Sequence, residues 1–284
     1  MNNVLSMKDF AKTMNDLTFD DYYKRLMLIA RSVFKWSNLP NHINEKWIEK
    51  FLYYEGSCVF YDDPIKGYMV AKYTPVGKLN YYDEPTKVKP YATGYNGKVL
   101  ENGKNCVIIS NNDIMMPTDL TLQLYAYRLA EATRTSDVNI KAQKTPVVVL
   151  CTDKQKLSFK RAMSEIEGNQ TVIYGAKEFD IDSIKVLNTN APIVFDKIRT
   201  EKHGIWNEAM TFLGINNGNQ EKKERQIVDE INANNEQVLA SGNVFLKARE
   251  EGVKQIKDVF GLDLCCEFRD MECPKLENFK GGEN

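Results

Sequence analysis

Histidine is nearly absent: His42 and His203 are the only 2 in 284 residues. A Ser-His-Asp triad would have to use one of them, and both sit in polar contexts, so that chemistry is not expected. The 6 cysteines contain no C-x-x-C pair, and a zinc site would need ligands gathered from distant positions. Cys58, Cys106 and Cys151 each lie in an apolar, strand-like run and read as small buried hydrophobes, whereas Cys265, Cys266 and Cys273 cluster late in the chain. Nucleotide-binding signatures are missing as well. Gly77-Lys78 and Gly97-Lys98 lack the upstream glycine of a P-loop, and neither G-x-G-x-x-G nor G-x-S-x-G occurs. No catalytic residue, cofactor or metal is therefore expected.

Long apolar runs are missing too. None exceeds Val147-Val148-Val149-Leu150-Cys151 in length, far below the roughly 18 residues of a membrane span. Met1 to Asp9 has neither a basic n-region nor an apolar h-region, so no signal peptide is expected. A disulfide framework is then not expected either, and the thiols read as reduced in a cytosolic setting. A net charge of −1 supplies no bulk positive field for nucleic acid. With 43% hydrophobic and 27% charged residues the composition is that of a globular protein rather than a disordered one. The length allows one large domain or two modest ones at roughly 150 residues each. Such a chain buries about three-quarters of its unfolded surface and needs no covalent staples.

The order of patterns along the chain carries more. Thr18 or Asp16 can cap a helix whose apolar face is Tyr22, Leu26, Ile29, Val33 and Phe34, stopped by Asn38-Leu39-Pro40-Asn41. Asn44 can cap a short second helix carrying Trp47, Ile48, Phe51 and Leu52. From about Gly56 to Ser110, short β-rich runs alternate with turn signals, including Asn96-Gly97 and Asn102-Gly103, the cue for type I′ hairpins. About five short strands at this spacing predict a small barrel. Pro117-Thr118-Asp119 then starts a long helix to about Lys141, roughly 24 residues and about 36 Å long. Residues 147–187 read as strand, helix, strand, strand: Val147–Cys151, Lys154–Ile166, Thr171–Tyr174 and Ser183–Leu187. A second long helix covers Phe195 to Leu213, ended by Gly214 at the C′ position. The polar stretch Asn216 to Asn235 leads to a helix from about Val244 to Phe260, closed by Gly261, and Leu262, Leu264, Cys266 and Phe268 alternate like a strand. Two long helices flanking an α/β insertion would expose an extended stalk in a lone copy, whereas an oligomer would bury it.

Three clusters invite a chemical reading beside a bland one. Asp180 and Asp182 place two carboxylates on one side of a strand-like run, as a Mg-dependent nucleic-acid-processing enzyme would, but no third carboxylate or phosphate loop accompanies them. Lys222, Lys223 and Arg225 in the run Glu221–Arg225 can meet phosphate or form a solvated face. Tyr81, Tyr82, Tyr91 and Tyr95 can stack bases or pack a barrel.

Several stretches are collinear with a known family. They are Trp36-Ser37-Asn38-Leu39-Pro40 with Ile43-Asn44, Phe60-Tyr61-Asp62-Asp63-Pro64, Asn111-Asn112-Asp113 with Pro117-Thr118, and Gln143-Lys144-Thr145-Pro146-Val147. The longest runs from Trp206 to Ile215, continues through Glu221–Arg225 and ends with Phe245–Glu251. Over about residues 30–270 the chain resembles the portal protein (head–tail connector, or upper collar protein) of small Picovirinae-type podophages.

The resemblance implies an α+β portal fold assembled as a ring. Residues 1–117 would form a helical wing with an SH3-like small β-barrel at about 56–110. Residues 118–143 and 191–214 would be stem helices, 144–190 an α/β clip, 215–235 a channel loop, and 236–284 a wing helix, strand and tail. It further implies a twelvefold ring at one capsid vertex, through which double-stranded DNA is packaged and ejected. The implied partners are major capsid and scaffolding proteins, a separate packaging ATPase and a lower collar or tail protein, with no membrane. The site would be the portal vertex of the virion, after assembly in the host cytoplasm. Lys197 matches a family channel lysine, with Asn188 at its companion position, and Lys222, Lys223 and Arg225 fall in the channel loop. Acid and base interleave there, which suits weak, movable contacts with phosphates rather than a tight hold. The segment Met1 to Asp21 mixes Lys8 and Lys12 with Asp9, Asp16, Asp20 and Asp21, unlike the strongly basic arm of some members. Small Ala126 and Ala130, together with Trp206, are the expected subunit contacts, since small residues let helices of neighbouring copies approach. The alternatives are the Mg-dependent enzyme at Asp180 and Asp182, and a non-portal tail adaptor ring.

Overall fold

The computed structural model describes residues 7–143, 147–149, 184–186, 192–216 and 228–269. The chain divides into two units, Met1–Ala130 with Lys202–Asn284, and Glu131–Glu201.

The first unit opens with α1 (Met7–Ala30). It starts well before the expected caps. Thr18 lies inside it and turns its hydroxyl back to the Met14 carbonyl (2.6 Å), the usual behaviour of a mid-helix threonine. Val33 and Phe34, read from spacing as the end of this helix, leave it: β1 spans Phe34–Ser37. Its partner is β10 (Cys265–Phe268), antiparallel, with Phe34 opposite Phe268 and Trp36 opposite Cys266. No local pattern reveals a partner so far along the chain. Between them in sequence, α2 (Glu45–Glu55) begins as expected at Asn44, whose side chain accepts from the Lys46 N–H (3.0 Å). It ends at Gly56 in the left-handed region (φ 75°). A Cβ there would overlap the Met115 carbonyl oxygen, so the position admits only glycine.

Six strands follow: β2 (Ser57–Asp63), β3 (Gly67–Pro75), β4 (Lys87–Ala92), β5 (Tyr95–Asn96), β6 (Leu100–Glu101) and β7 (Cys106–Ser110). They pair antiparallel in the order β5-β4-β3-β2-β7, with β6 also on β4. Strand alternation divides the buried side chains between two cores. Cys58, Phe60, Val107 and Ile109 join the helices, while Val59, Tyr61, Ala71, Val88, Cys106 and Ile108 form a second cluster. That second cluster comes from the sheet itself, so the sheet curls over its own filling. β6 pairs β4, and a bridge between Asn102, the residue after β6, and Cys106 of β7 brings the far edge of the sheet back to this side, as the expected small barrel requires. The hairpin turns also differ from the expectation. Positive φ falls at Gly94 and Gly103, not at Asn96, Gly97 or Asn102. Tyr95 and Asn96 are already paired in β5, opposite Ala92 and Tyr91, so the turn is Thr93-Gly94.

The helices of this unit close over the first core. They are α3 (Asp119–Ala142), whose later part belongs to the second unit, α4 (Phe195–Phe212), whose first part does, and α5 (Val228–Phe260). α5 starts earlier than its apolar pattern predicts, so residues 228–235 are helix rather than loop. Gly214 ends α4 as expected. It adopts φ 74°, and the N–H groups of Gly214 and Ile215 return to the carbonyls of Thr211 (3.0 Å) and Met210 (2.9 Å), a Schellman cap. Gly214 faces Gly242 of α5: a Cβ on Gly242 would lie 2.9 Å from the Gly214 Cα and 2.8 Å from the Phe268 ring.

In the second unit, β8 (Val147–Val149) pairs antiparallel with β9 (Ile184–Val186), within the two strands expected there. Asn139 on α3 holds the entry to α4, donating to the Pro192 carbonyl (2.8 Å) and accepting from the Val194 N–H (3.2 Å). The helix and strand expected at Lys154–Ile166 and Thr171–Tyr174 lie outside the described residues.

Candidate channel and subunit-contact surfaces

The loop before α3 fixes where that helix starts. Asn111 and Asn112 are both buried. Asn111 donates to the Met116 carbonyl and to Thr118 Oγ1, each at 2.9 Å. Asn112 accepts from the N–H groups of Ile114 (3.3 Å) and Met116 (2.9 Å) and donates to the Met116 carbonyl (2.8 Å). Asp119 opens the helix, where its charge suits the dipole, and takes the hydroxyl of Tyr23 and the amide of Gln123 (2.9 Å).

From there one face of α3 turns inward. Leu122, Ala126, Leu129 and Ala130 are buried in the same core as Ile205, Ala209 and Met210 of α4 and Phe245 and Ile256 of α5. This corrects the expectation for the alanines. Ala126 and Ala130 do permit close helix approach, but to helices of their own chain, and neither reaches the surface. Trp206 is half-buried and packs against that core as well. The opposite face of α3 presents Leu120, Leu124 and Tyr127 to solvent.

The exposed surface of α4 has another chemistry. In the second unit it presents Asp196, Lys197, Arg199, Thr200 and Glu201, acid and base interleaved. In the first unit it presents Glu208, which pairs with Arg128 of α3 (2.9 Å). Lys197 is thus exposed. Lys222, Lys223 and Arg225 lie outside the described residues, as do Asp180 and Asp182.

The first unit is held by a buried charge cluster. Glu49 of α2 and Arg249 of α5 are each only 3% exposed at the side chain. The guanidinium grips the carboxylate with two bonds, Nε to Oε1 (2.9 Å) and Nη2 to Oε2 (2.8 Å). Its remaining donors reach the Phe245 carbonyl (3.0 Å), the Asn111 carbonyl (3.3 Å) and Asn111 Oδ1 (3.2 Å). Trp36 Nε1 adds a third donor to Glu49 (2.8 Å), and the guanidinium sits 4.1 Å from the Phe34 ring centre. One ion pair therefore ties β1, α2, α5 and the loop that starts α3. Sequence reasoning missed it, and positions 200 residues apart offer no local signal.

Two expectations about side chains resolve differently. Tyr81 and Tyr82 are fully exposed, not packed in the sheet. Asn80 holds their turn open by accepting from the N–H groups of Tyr82 (2.8 Å) and Glu84 (2.9 Å). Tyr95 instead packs on the sheet core and donates to Asp63 (2.8 Å). The N–H of Ile65, then this hydroxyl and the N–H of Lys66, hold the Asp63 carboxyl below the usual carboxylate range. Among the described cysteines, Cys58, Cys106 and Cys266 are buried and Cys265 is exposed. Burial pushes the Cys106 thiol up to about 12, and it also raises those of Cys58 and Cys266.

A family model described as Phage Connector (GP10) matches residues 3–271, nearly the whole chain. The chain belongs to the phage connector family. Among solved structures it is similar to a chain in the portal and tail of native bacteriophage P68, with 18% identity over 97% of this chain and 94% of that one and a TM-score of 0.53. It also matches an HK97-family phage portal protein from Corynebacterium diphtheriae, at 10% identity over 90% and 93% of the two chains, with a TM-score of 0.44. The fold is that of a phage portal, in a mixed helix and sheet form. The connector is a structural, non-enzymatic component of the virion at the head–tail junction, which removes the enzyme alternative at Asp180 and Asp182. No described helix is long and apolar enough to cross a membrane.

Proposed function

We propose that copies of this connector close head to tail into a twelvefold ring at one capsid vertex, and that double-stranded DNA is packaged and ejected through its bore. A heterologous contact repeated by rotation closes into such a ring. Capsid and scaffolding proteins surround it, a separate ATPase drives the DNA, and a lower collar or tail protein attaches through residues 144–190. Lys197 lines the bore, and Lys222, Lys223 and Arg225 supply loops that resist backsliding of packaged DNA. The observation that carries this reading is the family match over residues 3–271. The mixed charge around Lys197 supports it further. A bore lined by cations alone would hold phosphates in proportion to their number, whereas interleaved acid and base lets the duplex move. Native mass spectrometry and negative-stain imaging of the purified chain test the ring: a multi-subunit particle with an open centre is expected, and isolated chains or a closed plug overturn it. Deleting residues 221–225 tests the clamp, since normal DNA retention in filled heads would refute that role.

A further inference from the structure

The first turns of α3 are apolar on both sides, and their outer side meets no partner among the described residues. Leu120 is 68% exposed, Leu124 61% and Tyr127 57%, at the i, i+4, i+7 spacing of one helix face. The residues leading into the helix are apolar and exposed too: Ile114 is 76% and Met116 42% exposed. Helix faces of this kind are buried in stable proteins, because a helix apolar all round belongs in a core. The helical part of this surface is also free of charge. From Leu120 to Tyr127 the chain reads LTLQLYAY, without one Asp, Glu, Lys or Arg, in a protein that is 27% charged. Depletion of charge is the mark of an interface centre.

Taking about 150 Å² for each whole side chain, the exposed parts of these five amount to roughly 450 Å². That lies within the roughly 300–600 Å² of the largest apolar patch on a typical monomer, which is often functional. It is over half of the roughly 800 Å² that each partner contributes to a stable interface.

We infer that the strip Ile114, Met116, Leu120, Leu124 and Tyr127 is the face by which each copy of the connector docks on the next. The occupant is a second copy of this chain, and the inference rests on the ring proposed above. The alanines on the inner side of α3 set how tightly that helix seats in its own core, and the outer strip makes the contact between copies.

The test compares the full-length wild-type chain with Leu124→Glu and with Leu239→Glu, an exposed apolar residue of α5 outside the strip. Native mass spectrometry reads assembly and circular dichroism reads folding. Leu124→Glu should keep its helix content while the concentration for half-assembly rises roughly a hundredfold or more, the effect of an unpaired charge in a buried contact. Leu239→Glu should assemble like wild type. Photocrosslinking from benzoylphenylalanine at position 124, which keeps the site apolar, should yield dimers of this chain. Rings formed by Leu124→Glu at wild-type concentrations overturn the docking face and leave the ring standing. Crosslinks that reach only other virion proteins overturn it too. Wild-type chains that never assemble overturn both.

Discussion

Arg249→Met isolates the buried ion pair. The substitution keeps much of the apolar stem but withdraws both donors from Glu49, leaving that carboxylate with Trp36 Nε1 and no cation. It also strips the donors from the Asn111 carbonyl and side-chain oxygen. Breaking a buried pair from one side costs about 3–5 kcal/mol, a large share of the roughly 5–15 kcal/mol that holds a typical domain. Urea unfolding followed by tryptophan fluorescence reads the loss, since Trp36 sits in the cluster. The double variant Glu49→Leu/Arg249→Met removes the stranded charge and should regain about 1–3 kcal/mol of it. Hydrogen exchange at residues 112–120 should quicken in the single variant, because Asn111 holds the loop that starts α3. If Arg249→Met lies within about 1 kcal/mol of wild type, or the double variant is no better than the single, the cluster is not the tie described above.

Gly242→Ala should destabilise the first unit by about 1–3 kcal/mol, because its Cβ meets Gly214 and the Phe268 ring at under 3 Å; thermal unfolding measures it. Stability should also fall on the alkaline side. The Cys106 thiol titrates from its ordinary 9.0 when unfolded and at about 12 when folded, so the unfolded chain holds fewer protons in that window. Its contribution is complete below pH 9 and drains by about 1.4 kcal/mol per pH unit up to pH 12, which denaturant midpoints across that range will show. Thiol labelling of the folded chain at pH 8 should modify Cys265 at once and spare Cys58, Cys106 and Cys266 until unfolding.

What the sequence made legible was local. Asn44, the Pro117-Thr118-Asp119 start and Gly214 each act within one helical turn, and each boundary falls within a residue or two of its signal. The small residues of α3 were equally visible, yet Ala126 and Ala130 face the chain's own core. Spacing marks which residues share a face but not which face meets the chain's own core. The missed features all join distant positions: β1 with β10, Gly56 with Met115, Gly214 with Gly242, Glu49 with Arg249. The Asn96-Gly97 cue failed for a related reason. Strand register placed Tyr95 and Asn96 in β5, and pairing overrode turn preference.

The pairing of β1 with β10 has a consequence for biosynthesis. Phe34 leaves the ribosome early, but the strand it needs ends at Phe268. A nascent chain halted before Cys265 holds an open strand edge with nothing to lie beside it. The first unit therefore closes only once the residues up to Phe268 have been made.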